Sequence, residues 1–268
     1  MLIDTHCHLD ANEFDVDRPA VIAAMHAAGV AGVVIPAVAP ANFSAVRELA
    51  HSIPGGAYAL GIHPLYIAQA DGEAVAMLRK AVETALDDPR FVAVGEIGLD
   101  LFVPELAQGE NLERQQQLFV EQLKLAAEFE LPVILHVRRA QDLILKHLRR
   151  VRVPGGIAHA FNGSLQQAEM FVKLGMALGI GGAMTYARAR QIRRIACAFD
   201  PSQLVLETDA PDIPPAWLEP RARNTPAEVA GVARALAELR GESEDAVIRA
   251  TGTTAMRVLP RLRCIVHP

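Results

Sequence analysis

The chain has 268 residues, 51% of them hydrophobic and 5% aromatic, with 26 basic against 31 acidic side chains and a net charge of -5. That size and apolar content can bury a large core in one domain, while the acidic balance gives no general electrostatic footprint for nucleic acid, whose high-affinity nonspecific binders present a basic face. No apolar run approaches the ~20 residues that span a bilayer, and Cys7, Cys197 and Cys264 have no CxxC spacing and cannot all pair, which excludes a disulfide framework and points to the cytoplasm.

Short β-rich apolar runs alternate with longer amphipathic segments from the first residues onward. No basic stretch precedes the first run, which already carries Asp4, so no signal peptide is expected. In chain order, strands are predicted at about 2–7, 31–37, 57–62, 91–97, 132–136, 156–161, 176–181 and 203–208. The helices between and after them are predicted at about 17–28, 41–52, 72–87, 111–129, 140–150, 164–174, 188–198 and 225–240. Ser164 before an amphipathic run ending at Gly175 reads as an N-cap and a stop, and Thr225-Pro226 sets proline at a first helical position. A last segment at about 243–258 reads as one extra helix. Eight strand–helix rounds predict a single (β/α)8 barrel over residues 1–268, closed by that helix. The four prolines between Pro211 and Pro220 fit a loop on the barrel top better than a domain boundary.

Six candidate metal ligands sit at or just past the ends of separate apolar runs. In Leu2-Ile3-Asp4-Thr5-His6-Cys7-His8, a period of two turns His6 and His8 to one face and Cys7 to the other. Glu96 ends an apolar run between Gly95 and Gly98, where a carboxylate with two oxygens can bridge two cations and is costly to bury unpaired. His136 closes Pro132-Val133-Ile134-Leu135-His136, and His159 follows Gly156-Ile157-Ala158. One histidine after an apolar run is usually a satisfied core residue, but two at consecutive strand ends point to ligation. Asp209 closes Leu204-Val205-Leu206-Glu207-Thr208-Asp209, with Glu207 on the same face; a turn device is the competing reading, and ligand plus proton acceptor the favoured one. A doubly wound sheet would also alternate strands and helices, yet only a closed barrel brings the ends of first, middle and last strands around one pocket.

Other residues read less sharply. His63 ends the third strand before Pro64, as a rim residue or a group in contact with substrate. Arg138 can grip a phosphate with its planar fork or pair with a neighbouring acid. Arginines at Arg138-Arg139, Arg149-Arg150-Val151-Arg152 and Arg188 to Arg194 read as solvated faces. Asp4, two residues before His6, is expected to accept from a ligand imidazole, and Asn224 to fix the loop after the eighth strand.

The chain resembles the TatD family of metal-dependent deoxyribonucleases, within the amidohydrolase-like barrels, over nearly its whole length. The resemblance rests on Asp4-Thr5-His6-Cys7-His8, Gly61-Ile62-His63-Pro64, Gly95-Glu96-Ile97-Gly98-Leu99-Asp100, Leu135-His136, His159-Ala160-Phe161-Asn162-Gly163-Ser164, Glu207-Thr208-Asp209-Ala210-Pro211 and Arg223-Asn224-Thr225-Pro226. It implies two divalent cations, one held by His6, His8 and Asp209 and one by His136 and His159, with Glu96 bridging. It also implies substrate contact or proton transfer by His63. The chain departs from the family pattern at Leu101-Phe102, where relatives often carry tyrosines, and at Val137 after His136.

The expected activity is hydrolysis of DNA phosphodiester bonds through a metal-activated bridging water, with Asp209 accepting its proton and Arg138 and His63 placing the phosphate. Zinc, manganese, nickel or magnesium would suit the donors. DNA engaged at an end or as a single strand is the expected partner, with no membrane and no obligate protein. The rival is an esterase, deacylase or lactonase on the same barrel. Some barrel relatives bridge their metals with a modified lysine, but Lys80, Lys124, Lys146 and Lys173 all fall in helical segments. A further alternative is a metal- or nucleic-acid-binding protein without catalysis, which a missing ligand would favour; none is missing.

Overall fold

A computed structural model describes residues 1–70 and 72–266; Asp71, His267 and Pro268 lie outside it. Among the described residues, eight parallel strands stand side by side in sequence order: β1 (Leu2–Asp4), β2 (Val30–Pro36), β3 (Gly56–Leu60), β4 (Phe91–Asp100), β5 (Val133–Arg138), β6 (Gly156–His159), β7 (Met176–Ile180) and β8 (Leu204–Leu206). The seam between last and first strands is joined just beyond β1. Thr5 donates from both N and Oγ1 to Leu206 O at 3.0 Å, Asp209 N donates to His6 O at 2.8 Å, and His8 N donates to Ala210 O at 2.8 Å. This is the expected (β/α)8 barrel.

Helices α1 (Arg18–Ala27), α2 (Phe43–Ser52), α3 (Ala74–Ala85), α4 (Gly109–Glu128), α5 (Gln141–Leu148), α6 (Leu165–Lys173), α7 (Arg190–Ala198) and α8 (Val229–Arg240) return the chain between and after the strands. Local chemistry sets their ends. Ser164 Oγ accepts from Gln167 N at 3.1 Å while Gln167 Oε1 accepts from Ser164 N at 2.9 Å, a reciprocal cap worth about 1 kcal/mol. Pro226 opens a 3-10 turn, Pro226–Glu228, that leads into α8, which ends at left-handed Gly241.

Boundaries shift where the seam and the site intervene. β1 and β8 are shorter than predicted: beyond Asp4 and Leu206 the backbone keeps single bonds to its neighbours, Cys7 N to Val34 O and Glu207 N to Ile180 O, and adds the bonds across the seam. β4 is longer, since Ile97 to Asp100 pair with Leu135 to Arg138. It therefore holds Glu96 in mid-strand, beside an irregular register between Val94 and Ile97.

Two apolar layers follow from strand alternation. Outward residues such as Val33, Ile35, Leu135 and Leu178 pack beneath the helices. Inward residues Ile3, Val34, Ala57, Ala59, Ala93, Ile134, Ile157, Ala177 and Val205 form an inner cluster with Ala255 and Val258 of α9 (Glu244–Val258) and with Leu259, Leu262 and Ile265. Arg261 Nη1 donates to Phe91 O at 2.9 Å, which places this plug against the starts of the strands. The extra C-terminal helix thus closes the barrel floor. On the outer wall, Asp88 accepts from Tyr58 Oη at 2.9 Å, Arg47 Nε at 3.1 Å and Arg90 N at 3.0 Å, and faces His51 Nε2 at 2.8 Å. Burial would raise its carboxyl, but these partners prevail and hold it at about 2.

Candidate metal centre

Strand alternation carries the inner row from apolar to polar. His136 follows Ile134, His159 follows Ile157 and Glu207 follows Val205, each two residues on and hence on the same inward face. His136 and His159 are register partners on β5 and β6. A Cβ at Gly98 would lie 2.1 Å from His136 O, so only glycine lets β4 run this close. The segments then turn sharply: Arg139, Ala160 and Asp209, just beyond β5, β6 and β8, have φ of 57°, 43° and 58°. Such left-handed non-glycine residues cluster where surrounding structure fixes a functional geometry.

The six predicted ligands share one pocket. His6 Nε2 lies 3.2 Å from His8 Nε2 and from Glu96 Oε2, and 3.6 Å from Asp209 Oδ1. His8 Nε2 is 3.4 Å from Glu96 Oε2 and 3.6 Å from Asp209 Oδ1, and His159 Nε2 is 3.6 Å from the same Asp209 oxygen. The other Glu96 oxygen, Oε1, faces His136 Nδ1 at 3.0 Å and His63 Nε2 at 3.4 Å. Donor atoms of His6, His8 and Asp209 fall within 4.8 Å of one another, as do those of His6, Glu96 and His159 and those of His63, Glu96 and His136. The first set matches the expected grouping. His159 groups with His6 and not with His136, whose ring centroid is 6.5 Å away.

The donor set suits divalent cations. Two imidazole nitrogens facing each other at 3.2 Å need either a shared proton or a cation between them. His6 Nδ1 is buried without a hydrogen-bond partner. Protonation is correspondingly in conflict. Burial, together with His159, pushes His6 well below its ordinary value. His8 and His159 are driven against burial to about 9 and about 10, the first chiefly by Glu96 and the second by Glu207 and Asp209. Burial would also raise Glu96, yet His63, His6 and His136 hold it well below the usual carboxylate range. Burial pushes Asp209 up to about 6 against the opposing pull of His159 and His8.

Tautomers separate His63 from the candidate ligand histidines. Leu65 N donates to His63 Nδ1 at 3.1 Å, and burial lowers the imidazole to about 4. A neutral ring with an accepting Nδ1 carries its proton on Nε2, which makes His63 a donor toward Glu96 and a poor ligand through that nitrogen. His136 Nε2 faces Asp100 Oδ2 at 3.0 Å, leaving Nδ1 to the pocket. Arg138 is half-exposed on the rim, its Nη1 3.9 Å from Asp100 Oδ2.

Two expectations need correction or extension. Asp4 does not accept from an imidazole: its Oδ1 takes His6 N at 3.2 Å and Thr208 N at 3.0 Å, and its Oδ2 takes Thr208 Oγ1 at 2.6 Å, because the carboxyl points across the seam. Asn224 does fix the loop, donating to Thr208 O, Asp212 O and Ile213 O. Glu207, read only as a companion of Asp209, accepts from Ala160 N at 2.6 Å and lies 3.2 Å from His159 Nδ1. It occupies the space a Cβ at Gly179 would fill. Asp100 and Glu207 are thus outer carboxylates behind His136 and His159; their signal was a second acid within four residues of a predicted ligand.

The pocket is a cavity of about 330 Å³ bounded by His8, His63, Glu96, His136, His159 and Asp209. A larger cleft of about 840 Å³ adjoins it along His136, Arg138, His159 and Asp209.

A (β/α)8 barrel with a buried histidine–carboxylate centre at the C-terminal ends of its strands is the class defined by this geometry. A family model described as TatD related DNase matches residues 3–260. The chain is 42% identical over 249 residues to the uncharacterized metal-dependent hydrolase YjjV of Escherichia coli K12, covering 92% of this chain and 93% of that one. It is 31% identical over 264 residues to a protein of Erwinia billingiae named 3'-5' ssDNA/RNA exonuclease TatD, covering 96% and 98%. The crystal structure of YjjV, a TatD homologue from Escherichia coli K12, superposes with a TM-score of 0.89 at 40% identity over 97% of this chain and 98% of that one. The chain belongs to the TatD family.

Proposed function

We propose that this TatD-family metal-dependent hydrolase cleaves phosphodiester bonds of DNA, at an end or in a single strand, with two divalent cations held by His6, His8, Glu96, His136, His159 and Asp209. The observation that carries the reading is Glu96, whose two oxygens face separate histidine groups, Oε2 toward His6 and His8 and Oε1 toward His136. That is the disposition of a bridging carboxylate. Bound cations would supply charge stabilisation for a phosphoryl transition state and acidify a water; zinc, manganese, nickel and magnesium all suit mixed imidazole and carboxylate donors.

The chain's own groups divide the remaining work. Asp209, central to the pocket with Oδ1 3.6 Å from His6 Nε2, takes up the proton of the attacking water. With Glu96 engaged by cations, His63 would turn its Nε2–H from Glu96 Oε1 to a phosphate oxygen, and Arg138 offers its planar fork at the rim. Asp100 holds the proton of His136 on Nε2, so the opposite nitrogen faces the centre, and the Glu207 carboxylate, 3.2 Å from His159 Nδ1, favours a proton on that nitrogen by its charge. The relative named as an exonuclease supports a phosphodiester substrate.

The test is a metal-replete activity screen over single-stranded DNA, duplex DNA, RNA, phosphomonoesters and aminoacyl esters. Hydrolysis of single-stranded DNA that disappears on chelation is expected. Turnover confined to carboxylic esters, or undiminished by chelation, would overturn the proposal.

A further inference from the structure

We propose that the larger cleft beside the metal centre seats the nucleotides next to the scissile phosphate, on a platform in which Arg138 and Arg139 are gathered over the ring of Phe102. The inference rests on the phosphodiester reading above and adds to it a site for a single strand.

Consecutive residues on a strand point to opposite faces. Arg138 ends β5 and Arg139 follows it, yet both guanidiniums reach one ring: their Cζ atoms lie 4.0 Å and 4.7 Å from the Phe102 centroid. The convergence follows from the left-handed backbone of Arg139, φ 57°, which breaks the alternation at that residue. Phe102 is itself anchored, since its N–H donates to Asp100 Oδ1 at 2.8 Å, and Asp100 also faces His136. One carboxylate therefore ties the platform to the metal centre.

The cations on this platform keep their N–H groups available. Arg18, Arg90 and Arg261 each donate to several backbone carbonyls, and Arg223 donates to Glu13 O and to the Asp17 carboxylate. Among the described residues, no side-chain hydrogen bond is made by Arg138 or Arg139, and the nearest acid is Asp100 Oδ2, 3.9 Å from Arg138 Nη1. Two planar forks with free N–H groups, held in place by a ring, match successive phosphates of a strand. Phe102 is 45% exposed and fronts the cleft together with Gln141, Asn162, Gln167 and Gln191. A ring flanked by guanidiniums is a stacking surface for unpaired bases, which a duplex keeps covered. The cleft volume of about 840 Å³ falls within the range of pockets that enclose small organic ligands, roughly 300–1,000 Å³. Of the three arginine clusters in the sequence, this one is therefore not a plain solvated face.

The experiment compares two substrates with the manganese-loaded protein: bis(p-nitrophenyl) phosphate, which offers only the reacting diester, and a fluorescein-labelled single-stranded hexanucleotide. Arg139→Ala and Phe102→Ala are each expected to raise KM for the hexanucleotide about tenfold, the scale of losing one stacked base, and to raise it much less for the small diester. Phe102→Tyr, which keeps the ring, should restore the hexanucleotide KM. Arg139→Ala removes only an exposed side chain, so the test survives if Phe102→Ala fails to fold. Hexanucleotide KM values within twofold of wild type, or equal rises on both substrates, would overturn the inference while leaving the phosphodiester reading intact. If the wild-type protein hydrolyses neither substrate, that reading fails, and fluorescence anisotropy of the labelled hexanucleotide decides: binding weakened by Arg139→Ala supports the platform, and binding unchanged or absent overturns it.

Discussion

At the start of the strands the inward positions hold Ile3, Ala57, Ala93, Ile134, Ile157 and Val205, sealed by Leu259 and Leu262; two residues farther on, His136 and His159 lie on their strands and Glu207 just past the end of β8. Both regions are buried, and both obey the same alternation. The floor gains free energy from apolar burial at about 25 cal/mol per Å² removed from water. The top gathers imidazoles and carboxylates whose desolvation is unfavourable until protons or cations pair them. Stability and chemistry are therefore separated along the strand axis, which gives substitutions at the two ends opposite signatures.

The largest effect is expected at the top. Glu96→Ala or Asp209→Ala should lower kcat/KM on single-stranded DNA by about 10²–10³ or more, on the scale of removing a group that stabilises transition-state charge. Far-UV circular dichroism should stay native, since neither change removes core volume. Near-wild-type turnover in metal-stripped buffer titrated with one cation would sink the bridged two-cation scheme.

Ile134→Ala, on the floor side of His136, should cost about 2–5 kcal/mol of unfolding free energy through the cavity it leaves. Urea denaturation measures the loss, and kcat per folded molecule should change little. A collapse of kcat matching that of Glu96→Ala would show that the two ends are not separable.

Glu207→Gln probes the layer between them. Glutamine can still accept from Ala160 N but loses the charge beside His159. Calorimetric titration should show metal affinity lowered about 10–100-fold, as for other groups that orient a ligand imidazole. Unchanged affinity would reduce Glu207 to a turn fastener.

The smallest effect lies away from the axis, at Asp88. Its carboxyl is lowered from 3.8 to about 2 in the folded protein, so its contribution is fully present above about pH 4 and is lost as pH falls toward 2. Asp88→Asn should cost about 1–3 kcal/mol at neutral pH by weakening buried hydrogen bonds. The mutant and wild-type stability curves should then converge as the acid limb is descended. Parallel curves down to pH 2 would assign the cost to something other than the charge.

Much of this was legible in the sequence, for a definite reason. Alternation alone turns His6 and His8 together and Cys7 away, and their Nε2 atoms do meet at 3.2 Å although the ladder stops at Asp4. Eight strand–helix rounds imply closure, and closure brings Asp209 beside His6. What escaped depends on departures from regular backbone. The left-handed φ at Arg139 follows from neighbours in space, with no local glycine to signal it, and Gly95 and Gly98 beside Glu96 marked a close approach without giving the register shift between Val94 and Ile97. Asp4 was assigned to the wrong partner because its actual acceptor role, toward Thr208, lies 204 residues away. Glu207 looked like part of a turn because only the folded barrel puts Gly179 beneath it and His159 beside it.

The bonds across the seam have a consequence for the order in which the molecule is made. Thr5 and Leu206 are 201 residues apart, so at a synthesis rate of ~5–20 residues per second the last part of the centre follows the first by roughly 10–40 s. Until Asp209 emerges and docks on His6 O, a nascent chain carries five of the six expected ligands but lacks the acid that His6, His8 and His159 all face. Metal capture is then expected late in synthesis: chains stalled before Asp209 leaves the ribosome should bind metal more weakly than released full-length chains.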